Sequence, residues 1–294
     1  MPVQSCHSAE YPEKRQPGHA KTVGPPAPDP GLVDERLADV EHHSLDHRAR
    51  IGDVTTLFGS VALEYEDVRP GYPPTVAEAI AAYARPAHIV EVGAGTGKGT
   101  EVLALLGVPL TCVEPDARMA GVLQAKFPLA EVVVSSFEQW TPPPGGVPMV
   151  ACALAWHWLD PHTRNQRVLD ALSPGGTLAV FAHQYGFADP LHYAAIDAAF
   201  ASLGESDQDR PESWFYDDIT ASGLWSDVLA QRSVRQVDFT TERYLLLHQT
   251  FSPFLRRTPD GQAQVLDVLR QAVDGLGGVI HTEVRTTLVL ARRP

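Results

Sequence analysis

Cysteine is scarce in this chain, with three among 294 residues, Cys6, Cys112 and Cys152, and no paired spacing between them. That pattern excludes a disulfide framework or a zinc knuckle, and the runs around Cys112 and Cys152 are strand-like, where a thiol serves as a small hydrophobe. No apolar run approaches the length of a bilayer-spanning helix, so no membrane partner is expected. Residues 1–21, MPVQSCHSAEYPEKRQPGHAK, have no apolar centre of the kind a secretory signal needs, which makes the cytoplasm the expected location. Positive charge is also short: 23 Lys and Arg face 36 Asp and Glu, a formal charge of −13. Such a background opposes nucleic acid, and no basic cluster rises out of it, so the expected partner is a small molecule.

What is present is ordinary globular material, 44% hydrophobic and 20% charged, in a 31.9 kDa chain long enough to bury a full core. Residues 1–50 stand apart. Up to Gly31 they are rich in Pro and polar residues, VGPPAPDPG above all, and read as a flexible extension. From Leu32 to about Ile51 the spacing suits a short helix, with His43 and His47 on one face. Ser44 stands where a helical zinc motif would have glutamate, and nothing local completes a coordination sphere, so a solvated polar helix is the expectation and no metal site. Residues 51–294 read as one domain, as a monomer or homodimer.

From residue 75 a strand–helix alternation begins. TVAEAIAAYA is helical, HIVEV a strand, GKGTEVLALLG a helix closed by Gly107, and PLTCVE a second strand. DARMAGVLQAKF (helix), AEVVVS and PMVACALA (strands), a helix around HTRNQRVLDAL, and GTLAVFAH (strand, after an SPGG turn) continue it. Five parallel strands follow, with TPPPGGVP too Pro-rich for a crossover helix. Residues 184–255 are irregular and read as a helical cap after the fifth strand, carrying substrate specificity. Tyr185, His192, Trp214, Phe215, Tyr216, Tyr244, His248 and Phe251 suggest an aromatic pocket there. RSVRQVDF and HTEVRTTLVLARR, separated by a helix near GQAQVLDVLRQAV, would close the sheet as an antiparallel pair.

The stretch HIVEVGAGTGKGT, residues 88–100, runs a strand into glycines that open a helix, where backbone N–H groups face outward and no Cβ blocks close approach. A nucleotide-triphosphate loop needs Gly-Lys-Ser/Thr, but Gly99 follows Lys98 and Val92 fills the first glycine position, so that ligand is rejected. A dinucleotide loop needs Gly-x-Gly-x-x-Gly. Reading from Gly93 ends on Lys98 and from Gly95 on Thr100, which weakens NAD without excluding it. What remains, Glu91-Val-Gly93-Ala94-Gly95-Thr-Gly97, suits a ligand with a charged amino-acid end, S-adenosylmethionine.

Together, FGSVALEYEDVRPGYP, EVGAGTG, CVEPDARM, SSFEQW, ALAWHWLD and LSPGGTLAVF, in that order, resemble the class I S-adenosylmethionine-dependent methyltransferases, particularly small-molecule members similar to trans-aconitate methyltransferase. The resemblance runs from about Phe58 to the C-terminus. It implies an α/β fold, a Rossmann-like seven-stranded sheet whose last strand is antiparallel, and S-adenosyl-L-methionine as cofactor.

The resemblance also implies roles. Gly93, Ala94, Gly95 and Gly97 would approach the methionyl part, with Glu91 facing its ammonium. Glu114, ending the second strand, would accept from the ribose hydroxyls. Pro115, Asp116 and Met119 would edge the adenine, lined in turn by Ser136, Phe137 and Glu138. The commoner pattern often has an acid at the third strand's end, where this chain has serine. Tyr65, Arg69 and Tyr72 would cover the cofactor, Arg69 clamping the methionyl carboxylate. Ala155, Trp156, His157 and Trp158 follow the fourth strand, at the crevice where acceptor meets donor. Methyl transfer needs alignment more than acid–base help. A hydroxyl or carbon acid would use a base, for which His157 is the first candidate and His183 the second, while a carboxylate would need none. Metal-independent chemistry is expected. Two alternatives stay open, a member that binds cofactor without methylating and, behind it, an NAD-dependent oxidoreductase. A nucleic-acid methylase would show Asn/Asp-Pro-Pro-Tyr where Ala155-Trp156-His157-Trp158 stands.

Overall fold

The structure, a computed structural model, describes residues 57–205, 211 and 214–294. The readings made of residues 1–50, including His43 and His47, lie outside the described residues. A 3₁₀ turn (Phe58–Val61) leads into α1 (Ala62–Val68) and α2 (Thr75–Tyr83). Helix α1 ends at Arg69, which takes extended dihedrals (φ −69°, ψ 126°) because Pro70 crowds helical ones at the residue before it. Helix α2 buries Val76, Ala79 and Ile80, the i, i+3, i+4 face of an amphipathic helix.

The alternation read from the sequence follows: β1 (Ile89–Val92), α3 (Lys98–Ala104), β2 (Leu110–Glu114), α4 (Ala117–Lys126), β3 (Glu131–Val134) and β4 (Val147–Ala153). Asp116 starts α4 as its N-cap, accepting from the Arg118 N–H. No helix forms between β3 and β4, where the proline run stands. Beyond β4 come a 3₁₀ turn (Trp156–Trp158), α5 (Arg164–Ala171), β5 (Leu172–Gly186), α6 (Pro190–Ala201) and α7 (Trp214–Ala221). The chain closes with β6 (Ser226–Thr240), α8 (Thr241–Gln249), α9 (Ser252–Leu255), α10 (Pro259–Gly275) and β7 (Val279–Arg292).

The seven strands form one sheet in the order β3-β2-β1-β4-β5-β7-β6. β1 to β5 pair in parallel, and β7 runs antiparallel to both β5 and β6. This is the seven-stranded α/β sheet with a terminal antiparallel pair that the sequence predicts. One local expectation changes. The SPGG segment is not a turn ahead of β5 but a bulge within it: Val147 pairs with Leu172 and Met149 with Thr177, so the intervening residues bow out while pairing resumes on both sides.

β1 and β2 are buried along their whole length, as central parallel strands covered on both faces must be. One apolar layer joins Ile89, Cys112, Met149 and Phe181 to Ile80, Leu103 and Leu123 of α2, α3 and α4. The other joins Val90, Val113, Val150 and Val180 to Trp156, Val168 and Ile219. Each fully buried Leu or Ile contributes about 1.5–3 kcal/mol to holding these layers. A third cluster, with Ile196, Phe239, Tyr244, Leu247, Leu269 and Ile280, binds α6, α8 and α10 over one end of β6 and β7. Among the described residues no helix is long and apolar enough to cross a membrane.

Candidate functional site

The glycine loop takes its shape from β1 and β2. The Gly93 N–H donates to the Val113 carbonyl (2.9 Å), and that of Gly97 to Ala94 (2.9 Å). Gly93, Gly95 and Gly97 all have positive φ, 66°, 56° and 90°. At Gly93 the requirement is double, since an added Cβ would also stand 2.5 Å from the Cβ of Ala155. The loop thereby lies against the segment that leaves β4, and a bare stretch of backbone faces a cavity of about 710 Å³, within the usual range for small-ligand sites.

Glu114 ends β2 at the cavity wall. Its Oε2 accepts from the Gly95 N–H (2.8 Å) and its Oε1 from the Asp116 N–H (3.0 Å). Burial pushes this carboxyl up to about 7, against the pull of those two amides. Pro115, Asp116 and Met119 continue the same wall, and Ser136, Phe137 and Glu138 stand across from them. Asp116 is already engaged: it caps α4 and pairs with the Arg118 guanidinium (2.8 Å), which holds its carboxyl below the usual range against the opposing effect of its burial.

Glu91 takes a different place from its neighbours. Its carboxyl is fully buried beneath the loop and is not part of the cavity wall. Oε2 accepts from the Thr100 hydroxyl (2.5 Å), whereas Oε1 has no partner, and burial pushes the group up to about 8. A Cβ at Gly99 would come within 2.2 Å of that Oε1, so Gly99 makes room for the acid. Ala94 and Gly97 likewise sit behind the wall, Ala94 in the core and Gly97 against Phe127.

The N-terminal segment supplies Phe58, Tyr65 and Arg69 to the wall. Arg69 is buried, donating from Nε to the Thr250 hydroxyl (2.8 Å) and from Nη2 to the Thr250 carbonyl (2.9 Å). Its guanidinium lies over the rings of Tyr65 and Phe251, 4.8 and 4.2 Å from their centroids. Tyr72 lies one layer back, stacked 4.0 Å from the His183 ring. His183 itself is in the wall with both nitrogens occupied: Nε2 is 3.2 Å from the Gly71 carbonyl and Nδ1 2.9 Å from the Thr286 hydroxyl. A carbonyl can only accept, so Nε2 carries the proton and Nδ1 accepts from Thr286. Burial, with Arg235 nearby, pushes this histidine down to about 3. It is a neutral, fixed group and a poor base.

After β4, Ala155, His157 and Trp158 join the wall while Trp156 turns away into the core. The Trp156 indole donates to Asp218 Oδ2 (2.8 Å), which also accepts from Arg164 Nε (3.0 Å) and Asn165 Nδ2 (3.0 Å). The buried Trp156 is thus the anchor of the 3₁₀ turn that presents His157. The His157 ring packs 4.6 Å from that of Trp158. Leu154, just ahead, lines the cavity with φ 53°, a left-handed conformation that is strained for a leucine.

The far end of the cavity lies under α6, α8 and α9, with Phe187, Ile196, Phe200, Leu247, Phe251 and Phe254 in its wall. Of the aromatic residues expected to form a specificity pocket, Tyr185, Tyr244, His248 and Phe251 are there. His192 instead accepts from the His281 N–H, and Phe215 packs with Trp214 and Tyr216 in or against the sheet layer. Periodicity in α6 and α7 does not distinguish a face toward the cavity from one toward the sheet. Phe58, Leu154 and Phe254 are wall residues that sequence reading does not single out: Phe58 and Leu154 lie inside quoted motifs but are apolar, and Phe254 lies in none.

Known proteins show the same pattern. A methyltransferase domain model matches residues 90–180. An uncharacterized methyltransferase of Mycobacterium tuberculosis is 36% identical over 129 residues, 44% of this chain and 52% of its own length. A trans-aconitate 2-methyltransferase of Paracidovorax citrulli is 35% identical over 97 residues, covering 32% of this chain and 37% of its own. These matches span about half or less of the relatives' lengths. A solved structure from Anaeromyxobacter dehalogenans, assigned to the type II methyltransferases, shares the fold with TM-score 0.60 at 19% identity, over 76% of this chain and 97% of its own. Residues 90–180 thus match a methyltransferase domain model, in a chain that shares the α/β fold of the Anaeromyxobacter structure.

Proposed function

We propose that this chain transfers a methyl group from S-adenosylmethionine to a small-molecule acceptor held under the helices that follow β5. The observation that carries the reading is the continuity of one cavity, from the bare backbone at Gly93 and Gly95, past Glu114, to the aromatic wall at Phe251. The residues present suit the donor. At Gly93 a side chain would strike Ala155, both Gly93 and Gly95 take left-handed dihedrals, and Glu114 stands in the wall at the strand end, tied to the loop by the Gly95 N–H.

Glu114 would hold the ribose, Pro115, Met119, Ser136, Phe137 and Glu138 the adenine, and Tyr65 and Arg69 the methionyl end. Glu91, Ala94, Gly97, Tyr72 and Trp156 would act from behind, shaping the loop and turn that make contact. Bound there, the donor supplies an activated methyl: an acceptor lone pair forms the new bond to its carbon while the C–S bond breaks and leaves its electron pair on a neutral sulfur. The protein's own work is alignment and exclusion of water, with His157 as the base for an acceptor that must lose a proton. Trans-aconitate, named for the Paracidovorax relative, is one acceptor to try. Labelled donor incubated with a panel of phenols, alcohols and carboxylates, with and without EDTA, tests the reading. It expects label in a small product and no effect of the chelator. Donor binding without transfer to any panel member would favour a non-methylating role.

A further inference from the structure

The chemistry of the acceptor is written in the far end of the same cavity. Its wall is largely carbon, with Phe187, Ile196, Phe200, Leu247, Phe254 and Val265, to which Tyr185, Tyr244 and Ser252 add hydroxyl-bearing side chains. Within this box stands His248, its ring 4.6 Å from Tyr244, 5.1 Å from Phe251 and 5.9 Å from Phe200. Among the described residues its ring nitrogens take no hydrogen bond, yet neither is sealed off as a buried, partnerless atom. Burial, and then Arg69, push the imidazole down to about 3, so at neutral pH it is an uncharged donor and acceptor.

The cations of the wall are spoken for. Arg257 is held at both terminal nitrogens by the two oxygens of Glu205, and Arg69 spends Nε and Nη2 on Thr250. Arg69 is also the cation proposed above for the donor's own carboxylate. The acids that share the wall bring no spare cation: Asp116 and Glu205 only balance Arg118 and Arg257. Among the described residues, then, nothing in the wall could neutralise two or three carboxylates, and an unpaired charge in such a box is costly.

We propose that the acceptor is an uncharged molecule with a ring-sized apolar body, seated among Phe200, Phe251 and Phe254, and that His248 gives or takes the one hydrogen bond that reads its polar group. This assignment rests on the methyltransferase reading but concerns the opposite end of the cavity. A polar group unpaired against His248, or a carboxylate against the carbon wall, is what the site discriminates against.

The test uses the full chain saturated with S-adenosylhomocysteine, titrated by calorimetry with 2-naphthol and other neutral phenols and, separately, with trans-aconitate and citrate. The expected result is that the tightest phenol binds at least about 10-fold more tightly than either carboxylate. His248→Phe, which keeps the ring packing, should weaken that phenol about 10-fold while leaving S-adenosylhomocysteine affinity unchanged. A panel in which no phenol outbinds the carboxylates overturns the proposal, as does an unchanged phenol affinity in His248→Phe. The two readings fail separately. If S-adenosylhomocysteine does not bind, the donor assignment falls, and the same phenol and carboxylate titrations of the chain alone still decide the acceptor chemistry.

Discussion

At the scale of single residues, the two buried glutamates take different places at the proposed donor site. Glu114 stands in the wall with a carboxyl pushed up to about 7, so near neutrality it is partly protonated. A carboxylate accepts from two hydroxyls, whereas the protonated acid loses acceptor capacity. Donor affinity should therefore rise as pH increases through about 7, and Glu114→Gln should flatten that dependence. Glu114→Ala should weaken donor binding by about 1.5–3 kcal/mol, the range for hydrogen bonds to a charged group, with the fold retained by circular dichroism.

Glu91 gives a stability prediction of definite sign. Its ordinary value is 4.5 and its folded value about 8, so between these the folded chain keeps a proton that the unfolded chain has released. Stability from this group is complete below 4.5 and is lost as pH rises toward 8. Melting temperature should fall over that window in the wild type and fall less in Glu91→Gln. An identical profile in both would place the slope elsewhere. For His157, substitution by Ala should lower turnover about 100-fold with donor affinity unchanged if it removes the acceptor's proton. A pH–rate profile flat across the histidine range would leave alignment as its role.

At the scale of elements, the turn after β4 is set by its anchor. Asp218 of α7 accepts from Trp156, Arg164 and Asn165, and its carboxyl is held low by the Arg164, Trp156 and Asn165 donors, against the desolvation that would raise it. Asp218→Ala would leave the buried Arg164 guanidinium without its partner, which costs about 3 kcal/mol, read as a shifted midpoint in urea. The same variant should raise the acceptor KM more than it changes donor affinity, because Asp218 anchors the turn that carries His157, whereas the glycine loop is held by its own bond to β2. Five parallel strands and their helices are legible in the sequence because each unit carries its own periodicity and turn residues. The SPGG bulge is not, since a turn composition reads the same whether the strands beside it pair through or stop. Nor are the opposite fates of Glu91 and Glu114: each is a glutamate in or ending a buried strand, and only the packing of α3 puts one carboxyl beneath the loop and the other in the wall. Trp156 and His157 are adjacent in sequence, and the direction each takes depends on Asp218, 62 residues from Trp156 along the chain.

At the scale of the whole molecule, the sheet order puts the carboxyl ends of β1, β2, β4 and β5 along one edge, and the cavity opens there. The segment before α2 and the helices after β5 meet across it through Arg69 and Thr250. The proposed donor and acceptor ends belong to one cavity, with backbone and acids at one end and rings and a neutral imidazole at the other. The central claim is that the glycine end takes S-adenosylmethionine. The most direct measurement is calorimetric titration of the purified chain, freed of copurified ligand and kept in EDTA, with S-adenosylmethionine, S-adenosylhomocysteine and NAD in turn. The predicted result is saturable binding of the first two, each displacing the other, with no response to NAD. Binding of NAD with none of S-adenosylmethionine would contradict it.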